Sequence, residues 1–151
     1  MVHQASNLQI RRLDAREWRA AFRLVVQLRP HLSEAEFLRR VQRQSHGGYE
    51  LLGAFTGDEI IGVLGMRPVH TLARGLHLHI DDIFVDEGRK RMGVGRTLMD
   101  YAETDALARG IGAVYLDARA SAIPFYERNG YQLHRSPSMM KQLSDRADAA
   151  V

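Results

Sequence analysis

The sequence contains no cysteine among its 151 residues. Disulfide bonds, thiolate zinc sites and a cysteine nucleophile are therefore excluded, because each of them needs at least one thiol. A reducing compartment is compatible with this composition. Long apolar runs are also missing, since no stretch approaches the roughly 18 uncharged residues that a membrane-spanning helix needs. The start, MVHQASNLQIRRL, has no apolar signal core, so we expect a cytoplasmic protein without a membrane partner.

An excess of one charge is nearly absent too. The chain has 21 basic and 18 acidic residues, a formal net charge of +3, and 45% of its residues are hydrophobic. This composition is that of a single globular domain with its own core, and its small basic excess does not demand a nucleic-acid partner. We expect one domain over residues 1–143 and a polar tail, SDRADAAV, over residues 144–151.

Hydrophobic periodicity and capping signals predict the order of the elements. Asp14 with Glu17 and Ser33 with Glu36 are the two ends of capping boxes, so each pair is expected to begin a helix. Apolar and alternating runs predict strands, and TGDE between two of them predicts a hairpin. The predicted strands are Leu8–Leu13, Tyr49–Phe55, Ile60–Met66, Leu76–Val85, Ala113–Ala118 and Pro137–Leu143; the later helices are Gly93–Arg109 and Ser121–Gly130.

The resulting order, β-α-α-β-β-β-α-β-α-β, predicts a mixed α/β fold in which helices flank a central sheet. Strict alternation along the fourth strand places its odd-numbered residues on one face of that sheet. These residues are His77, His79, Asp81, Ile83 and Val85.

The stretch EGRKRMGVGRTLM, residues 87–99, places four basic side chains and three glycines before a helical pattern. Free N–H groups at a helix start attract phosphate, and glycine lets a phosphate approach the backbone. A Walker A loop is excluded because Val94 and Gly95 stand where lysine and a hydroxyl are needed. A dinucleotide fingerprint is excluded because Leu98 occupies the third glycine position.

A different pattern fits this stretch. IDDIFVDEGRKRMGVGRTLMDYA resembles the acetyl-CoA signature of the GNAT superfamily of N-acetyltransferases, with Lys90, Gly93 and Gly95 at the motif positions and Val85 five residues before Lys90. AIPFYERNGY resembles a second segment of that family, with Tyr126 and Gly130 in place. The resemblance covers residues 8–143 and implies a mostly antiparallel sheet.

The resemblance also implies how acetyl-CoA, the co-substrate, is held. The main chain of Ile83, Phe84 and Val85 is expected to bind the pantetheine arm as an added strand. The loop that follows is expected to bind the pyrophosphate through its amides. Its residues are Lys90, Arg91, Met92, Gly93, Val94, Gly95 and Arg96.

The implied chemistry is direct attack of a primary amine on the acetyl thioester. By motif position Tyr126 is the acid that protonates the thiolate. His79 is the candidate base, because an unperturbed histidine titrates near 6.5, and Asp81 and Asp117 are the alternatives. His77, His79 and Asp81 share a strand face, but such spacing is common by chance and we expect no metal site. Lys90 replaces glutamine or arginine, and Arg119 stands where the family often has asparagine.

Two further readings of the sequence stay open. The chain is either an enzyme or a CoA-binding regulator without activity, and GRKR is also compatible with a nucleic-acid-binding module. Because aromatic residues are missing near GRKR and the basic residues form no stripe, we do not expect nucleic acid as a partner. The acceptor is a small-molecule or protein amine that the sequence does not identify. The apolar residues Met139, Met140 and Leu143 suggest a homodimer.

Overall fold

The computed structural model describes residues 7–145. The chain divides after Leu116 into two compact units, and each is described by itself. The first unit contains a five-stranded sheet in the order β1-β2-β3-β4-β5. Its elements are β1 (Leu8–Arg12), α1 (Trp18–Leu28), α2 (Glu34–Ser45), β2 (Glu50–Thr56), β3 (Glu59–Thr71), β4 (Gly75–Val85), a 3₁₀ segment (Glu87–Met92), α3 (Val94–Ala108) and β5 (Val114–Leu116).

Both predicted capping boxes form their hydrogen bonds, but only one of them caps its helix directly. Ser33 is the N-cap of α2, and its hydroxyl accepts a hydrogen bond from the Glu36 amide at 3.1 Å. Asp14 and Glu17 exchange side-chain and backbone hydrogen bonds at 3.1 Å in both directions, and α1 begins one residue later at Trp18. Ser33 therefore caps α2 itself, whereas the Asp14–Glu17 bonds close the turn before α1, whose N-cap Glu17 makes no side-chain capping bond.

The strands β1 to β4 are antiparallel neighbours, and β5 joins β4 in parallel. The mixed, mostly antiparallel sheet flanked by helices confirms the predicted fold class. One face of the sheet packs against α1 and α2 in a cluster that includes Leu24, Phe37, Val63 and Phe84. The opposite face packs against α3, because a Cβ on Gly62 would meet Val94 and Leu98 at 2.7 and 3.2 Å.

The predicted face of β4 is partly wrong, because a bulge interrupts its alternation. The register runs Met66 to Ile80 but Gly65 to Asp82, so Asp81 is an extra residue with no opposite partner. An extra residue reverses the alternation beyond it. Ile83 pairs with Leu64 on the α3 face, and Val85 pairs with Gly62 on the same face. His77 and His79 lie on the face that packs against α1.

The second unit contains a 3₁₀ turn (Ala120–Ala122) and the short helix α4 (Ile123–Arg128). The strand predicted over Pro137–Leu143 is wrong, because residues 137–143 are exposed coil. Two sequence features oppose a strand here: Pro137 has no backbone donor, and Met139 and Met140 are adjacent rather than alternating. Both methionines are highly exposed, at 92% and 83%.

Candidate active site

Strand β4 has one edge that is only partly covered. It pairs with β3 along its whole length, whereas β5 pairs only with Leu78, His79 and Ile80. Beyond Ile80 no strand among residues 7–116 covers this edge. The main-chain groups of Ile83 to Val85 on this side therefore have no strand partner among these residues, which is the position at which an extended ligand can add as a strand.

The uncovered edge begins at the bulge. The Asp81 residue is exposed although its side chain is only 19% exposed, so its main chain is the part that faces solvent. The Asp81 carboxylate accepts two hydrogen bonds from Arg67, at 2.8 and 3.1 Å. His79 Nε2 lies 3.8 Å from Asp81 Oδ1, which brings together two of the predicted candidates for the base.

A second carboxylate at the bulge has a different environment. The hydroxyl of Tyr49, the residue before β2, donates a hydrogen bond to Asp82 Oδ2 at 2.7 Å. Burial raises the pKa of the Asp82 carboxyl; the Tyr49 bond opposes this, and Asp81 adds to the increase. Burial and the charge of Asp82 raise the pKa of Tyr49 well above its ordinary value, so Tyr49 keeps its proton and remains the donor.

The loop after β4 leads directly into the start of α3. Gly93 has φ +76° and ends the 3₁₀ segment, and α3 begins at Val94. No side chain caps α3, and its first turn contains no acidic residue. The first helical bond runs from the Thr97 amide to the Gly93 carbonyl, at 3.0 Å. The preceding amides of the helix start are thus available to an anion.

The basic side chains of this loop differ in their partners. Arg89 pairs with Glu59 at 3.2 Å, Lys90 with Glu87 at 2.9 Å, and Arg96 with Asp100 at 3.9 Å. Arg91 is exposed and forms no ion pair with any residue from 7 to 145. Because three of the four cations are paired, the attraction for phosphate at this loop rests mainly on backbone amides and Arg91.

The same loop is tied to α1 by one side chain. The Gln27 amide donates to Asp86 Oδ1 at 3.2 Å and accepts from the Glu87 amide at 3.3 Å. Arg29, at the end of α1, lies over the Phe84 ring at 5.8 Å. The end of α1 therefore contacts both β4 and the start of the loop.

The remaining predicted site residues lie in the second unit. Tyr126 is buried, and its ring makes edge contacts with Phe125 and Tyr131 at 5.1 and 5.8 Å between centroids. Burial raises the pKa of Tyr126, so its hydroxyl keeps its proton at neutral pH. Asp117 and Arg119 are exposed.

His77 has a structural environment. It is 2% exposed, its Nδ1 lies 3.0 Å from the Gly75 carbonyl, and its ring meets Tyr115 edge-on at 5.0 Å. Within residues 7–145 no three His, Asp or Glu side chains form a group that could hold a metal ion.

Tyr49 and Asp82 are the residues that the sequence analysis missed. The available signal was Gly65, a glycine inside an apolar strand pattern, which often marks close backbone approach or a bulge. A Cβ at Gly65 would lie 1.9 Å from the Tyr49 hydroxyl oxygen. The glycine therefore makes room for the tyrosine to cross β3.

Comparison with known proteins decides the family. The sequence model of the Acetyltransferase (GNAT) family matches residues 8–131. The chain belongs to the GNAT acetyltransferase family. An uncharacterised N-acetyltransferase of Bacillus subtilis (strain 168) is 30% identical to this GNAT member over 117 residues, which are 73% of this chain and 80% of the relative.

Solved structures share the GNAT fold. A Trypanosoma brucei acetyltransferase aligns with a TM-score of 0.75 at 23% identity, over 89% of this chain and 99% of that one. The glucosamine-6-phosphate N-acetyltransferase of Arabidopsis thaliana aligns with a TM-score of 0.72 at 24% identity, over 91% and 99%. Between residues 7 and 145 there is no helix with the length and apolar character needed to cross a bilayer.

Proposed function

We propose that this GNAT member transfers the acetyl group of acetyl-CoA to a primary amine by direct attack in a ternary complex. The observation that carries this proposal is the continuity of two binding elements. The uncovered edge of β4 leads, through residues 86–93, to the uncapped start of α3. An extended amide-containing arm and a pyrophosphate match these two elements in that order.

The residues that hold acetyl-CoA are those that the motif predicts. The main chain of Ile83, Phe84 and Val85 binds the pantetheine arm in the manner of a strand. The amides at the start of α3 bind the pyrophosphate, aided by the positive end of the helix dipole. Lys90, Arg91 and Met92 lie on the approach to Gly93, and Arg91 supplies the unpaired cation.

In the transfer, a neutral amine attacks the thioester carbon with its lone pair. The C–S bond then breaks, and its electron pair leaves with the thiolate of CoA. Tyr126 protonates that thiolate, a role that rests on its position in the family motif; an ordinary tyrosine, with a pKa of about 10, carries its proton at neutral pH. The absence of cysteine accords with a route that forms no acetylated cysteine on the enzyme.

A base must take the proton of the incoming ammonium group, and the candidates that the sequence offers are His79, Asp81 and Asp117. Because His79 Nε2 lies 3.8 Å from Asp81 Oδ1, we expect the base among the groups at the β4 bulge. The acceptor is a small-molecule or protein amine. Two of the relatives named above carry the name N-acetyltransferase, and one of these two is named for an amino sugar phosphate.

The test is acetyl-CoA turnover with four classes of acceptor: small amines, amino acids, peptides with a free N-terminus and aminoglycosides. CoA release and the mass of the acetylated product are measured together. We expect at least one class to give stoichiometric CoA and acetyl-amine, and Gly93→Glu to give neither. CoA binding without transfer to any class would favour the regulator instead, and salt-dependent binding of RNA or DNA in place of CoA would favour the nucleic-acid module.

A further inference from the structure

The Asp82 carboxylate is partly buried, and the partner that the structure gives it is a phenol. The Tyr49 hydroxyl donates to Asp82 Oδ2 at 2.7 Å, and no arginine or lysine among residues 7–145 lies within 4 Å of the carboxylate. A buried charge without a cation is costly, and such groups are normally paired. The neighbouring Asp81, in contrast, has a complete bidentate partner in Arg67.

The contact between Tyr49 and Asp82 depends on a glycine in the middle of β3. Leu51, Gly65 and Asp82 lie in one row across β2, β3 and β4. The Tyr49 ring lies over Gly65, where a Cβ would come within 2.5 Å of ring atom Cζ. A glycine in a strand interior weakens the strand, and here it is what allows Tyr49 to reach Asp82.

The charged and titratable groups around Asp82 come from each neighbouring element. Tyr49 precedes β2, Arg67 lies on β3, and His79 and Asp81 lie on β4. Arg29 at the end of α1 lies over Phe84, the next residue of β4 on the same face, and donates to the Leu28 carbonyl at 3.1 Å. Helix α2 contributes the apolar residues Phe37 and Val41 to the cluster that holds Tyr49.

We propose that Asp82 binds the ammonium group of the acceptor and takes its proton, and that Tyr49 positions the Asp82 carboxylate for this step. The inference rests on the proposed acetyl transfer. Asp82 stands one residue after the bulge, next to the uncovered edge of β4 on which the thioester arm is proposed to lie. The positive charge of the acceptor's ammonium group pairs with the Asp82 carboxylate, which has no arginine or lysine within 4 Å among residues 7–145.

Proton transfer to Asp82 precedes the attack of the amine on the thioester. One N–H bond of the ammonium breaks, its electron pair stays on nitrogen, and the proton forms an O–H bond with Asp82. The nitrogen lone pair attacks the thioester carbon, and the thiolate leaves with the electrons of the C–S bond. Tyr126 protonates the thiolate, the second proton lost from nitrogen replaces the one that Tyr126 gave up, and the proton on Asp82 returns to solvent.

The first test uses the pH dependence of kcat/KM for ethylamine in the full-length chain. Asp82→Asn keeps an acceptor for the Tyr49 bond but cannot take a proton, so we expect a loss of about 10²–10⁴-fold. Tyr49→Phe removes the hydrogen bond that lowers the pKa of Asp82. The acidic limb of the kcat/KM profile of Tyr49→Phe should therefore move to higher pH, while its plateau at alkaline pH is kept. A purely structural role of Tyr49 would not cause this shift.

Trifluoroethylamine provides a probe that needs no base, because its fluorines leave the amine uncharged at neutral pH. We expect Asp82→Asn to acetylate it nearly as fast as the wild type does. Asp58→Asn, in the exposed β2–β3 turn, and Tyr101→Phe, on α3, are the matched controls and should leave both amines unaffected.

The folding of Asp82→Asn is checked by its melting temperature across pH. Because burial raises the pKa of Asp82 above its unfolded value, the charged form costs stability. The stability that protonated Asp82 contributes is fully present below the pKa of Asp82 in the unfolded chain. It is lost as pH rises through the pKa of Asp82 in the folded chain. Asp82→Asn should therefore melt no lower than the wild type at pH 7.5, and any gain should disappear in acid.

Three outcomes would overturn the inference. These are an Asp82→Asn enzyme that acetylates ethylamine at the wild-type rate, an unmoved acidic limb in Tyr49→Phe, and an equal loss for both amines in Asp82→Asn. If His79→Gln removes the acidic limb of the kcat/KM profile, the proton acceptor is His79 and not Asp82. A wild-type chain that binds CoA but acetylates no amine contradicts the proposed function itself, and the inference with it.

Discussion

Gly93 is the residue on which the backbone conformation of the loop before α3 depends most. Its φ of +76° belongs to the left-handed region, and a Cβ at this position would meet no atom within 4 Å. The requirement for glycine is therefore conformational rather than steric. The glycine that the sequence motif has at this position fits the left-handed backbone, and its role toward phosphate stays a prediction.

Replacing Gly93 by alanine tests this requirement. We expect Gly93→Ala to lower the free energy of unfolding by about 1–2 kcal/mol, because an L-residue is strained in the left-handed region. The same change should weaken CoA binding by altering the first turn of α3. Urea unfolding and calorimetric titration measure the two effects. Gly88→Ala is the control, since Gly88 also has open space but no positive φ; equal effects at both positions would contradict this explanation.

Tyr126 can be tested without disturbing its packing. Tyr126→Phe keeps the ring contacts with Phe125 and Tyr131 and removes only the proton donor. We expect kcat to fall by about 10²–10⁴-fold while CoA affinity is unchanged. Tyr101→Phe on α3 removes a hydroxyl elsewhere and serves as the reference. A Tyr126→Phe enzyme with wild-type kcat would leave protonation of the thiolate to solvent.

Among the elements, those with local signals were predictable and the irregular ones were not. Ser33 and Glu36 place the start of α2 correctly because a capping box is a contact between near neighbours in sequence. The β4 bulge depends on how Gly65 and Met66 pair with a strand some fifteen residues away. Strict alternation therefore placed Ile83 and Val85 on the wrong face and missed Asp82.

The contact between β2, β3 and β4 at Gly65 gives a test at the scale of elements. Gly65→Ala would place a Cβ inside the rigid Tyr49 ring, so we expect a loss of about 1–3 kcal/mol in unfolding free energy. In a Tyr49→Ala background the same change should cost much less, because the clashing ring is absent. Urea unfolding of the wild type, the two single variants and the double variant measures the coupling energy between positions 49 and 65. Additive effects would show that the loss in Gly65→Ala does not come from a clash with the Tyr49 ring. Gly112→Ala, where a Cβ meets no atom, is the control.

For the whole molecule, the sequence predicted the order of the elements up to α4, and the sheet formed as expected. The exception is the segment after Gly130. It carries four exposed large apolar side chains within fifteen residues. They are Leu133, Met139, Met140 and Leu143, with exposures of 74%, 92%, 83% and 87%. The sequence predicted a strand over residues 137–143, but the structure has exposed coil there, so the apolar side chains of this segment did not indicate a strand.

A homodimer remains our prediction at this scale, with the apolar segment at its interface. Light scattering should give twice the chain mass of 17.1 kDa at micromolar concentration. Met140→Asp should shift the mass toward the monomer, because it places a charge in an apolar contact. Leu107→Asp on α3 is the matched control, since Leu107 is also exposed, at 70%. A wild-type mass of 17.1 kDa at all concentrations would remove the dimer.

The edge of β4 and the start of α3 are proposed to bind acetyl-CoA together, and calorimetric titration of the wild-type chain measures this binding. We predict one CoA bound per chain, and much weaker binding of adenosine 3′-phosphate 5′-diphosphate, which has the phosphates of CoA but lacks the pantetheine arm that Ile83, Phe84 and Val85 are proposed to hold. CoA that does not bind at saturating concentration, or that binds no better than this nucleotide, would show that the two elements do not form the site.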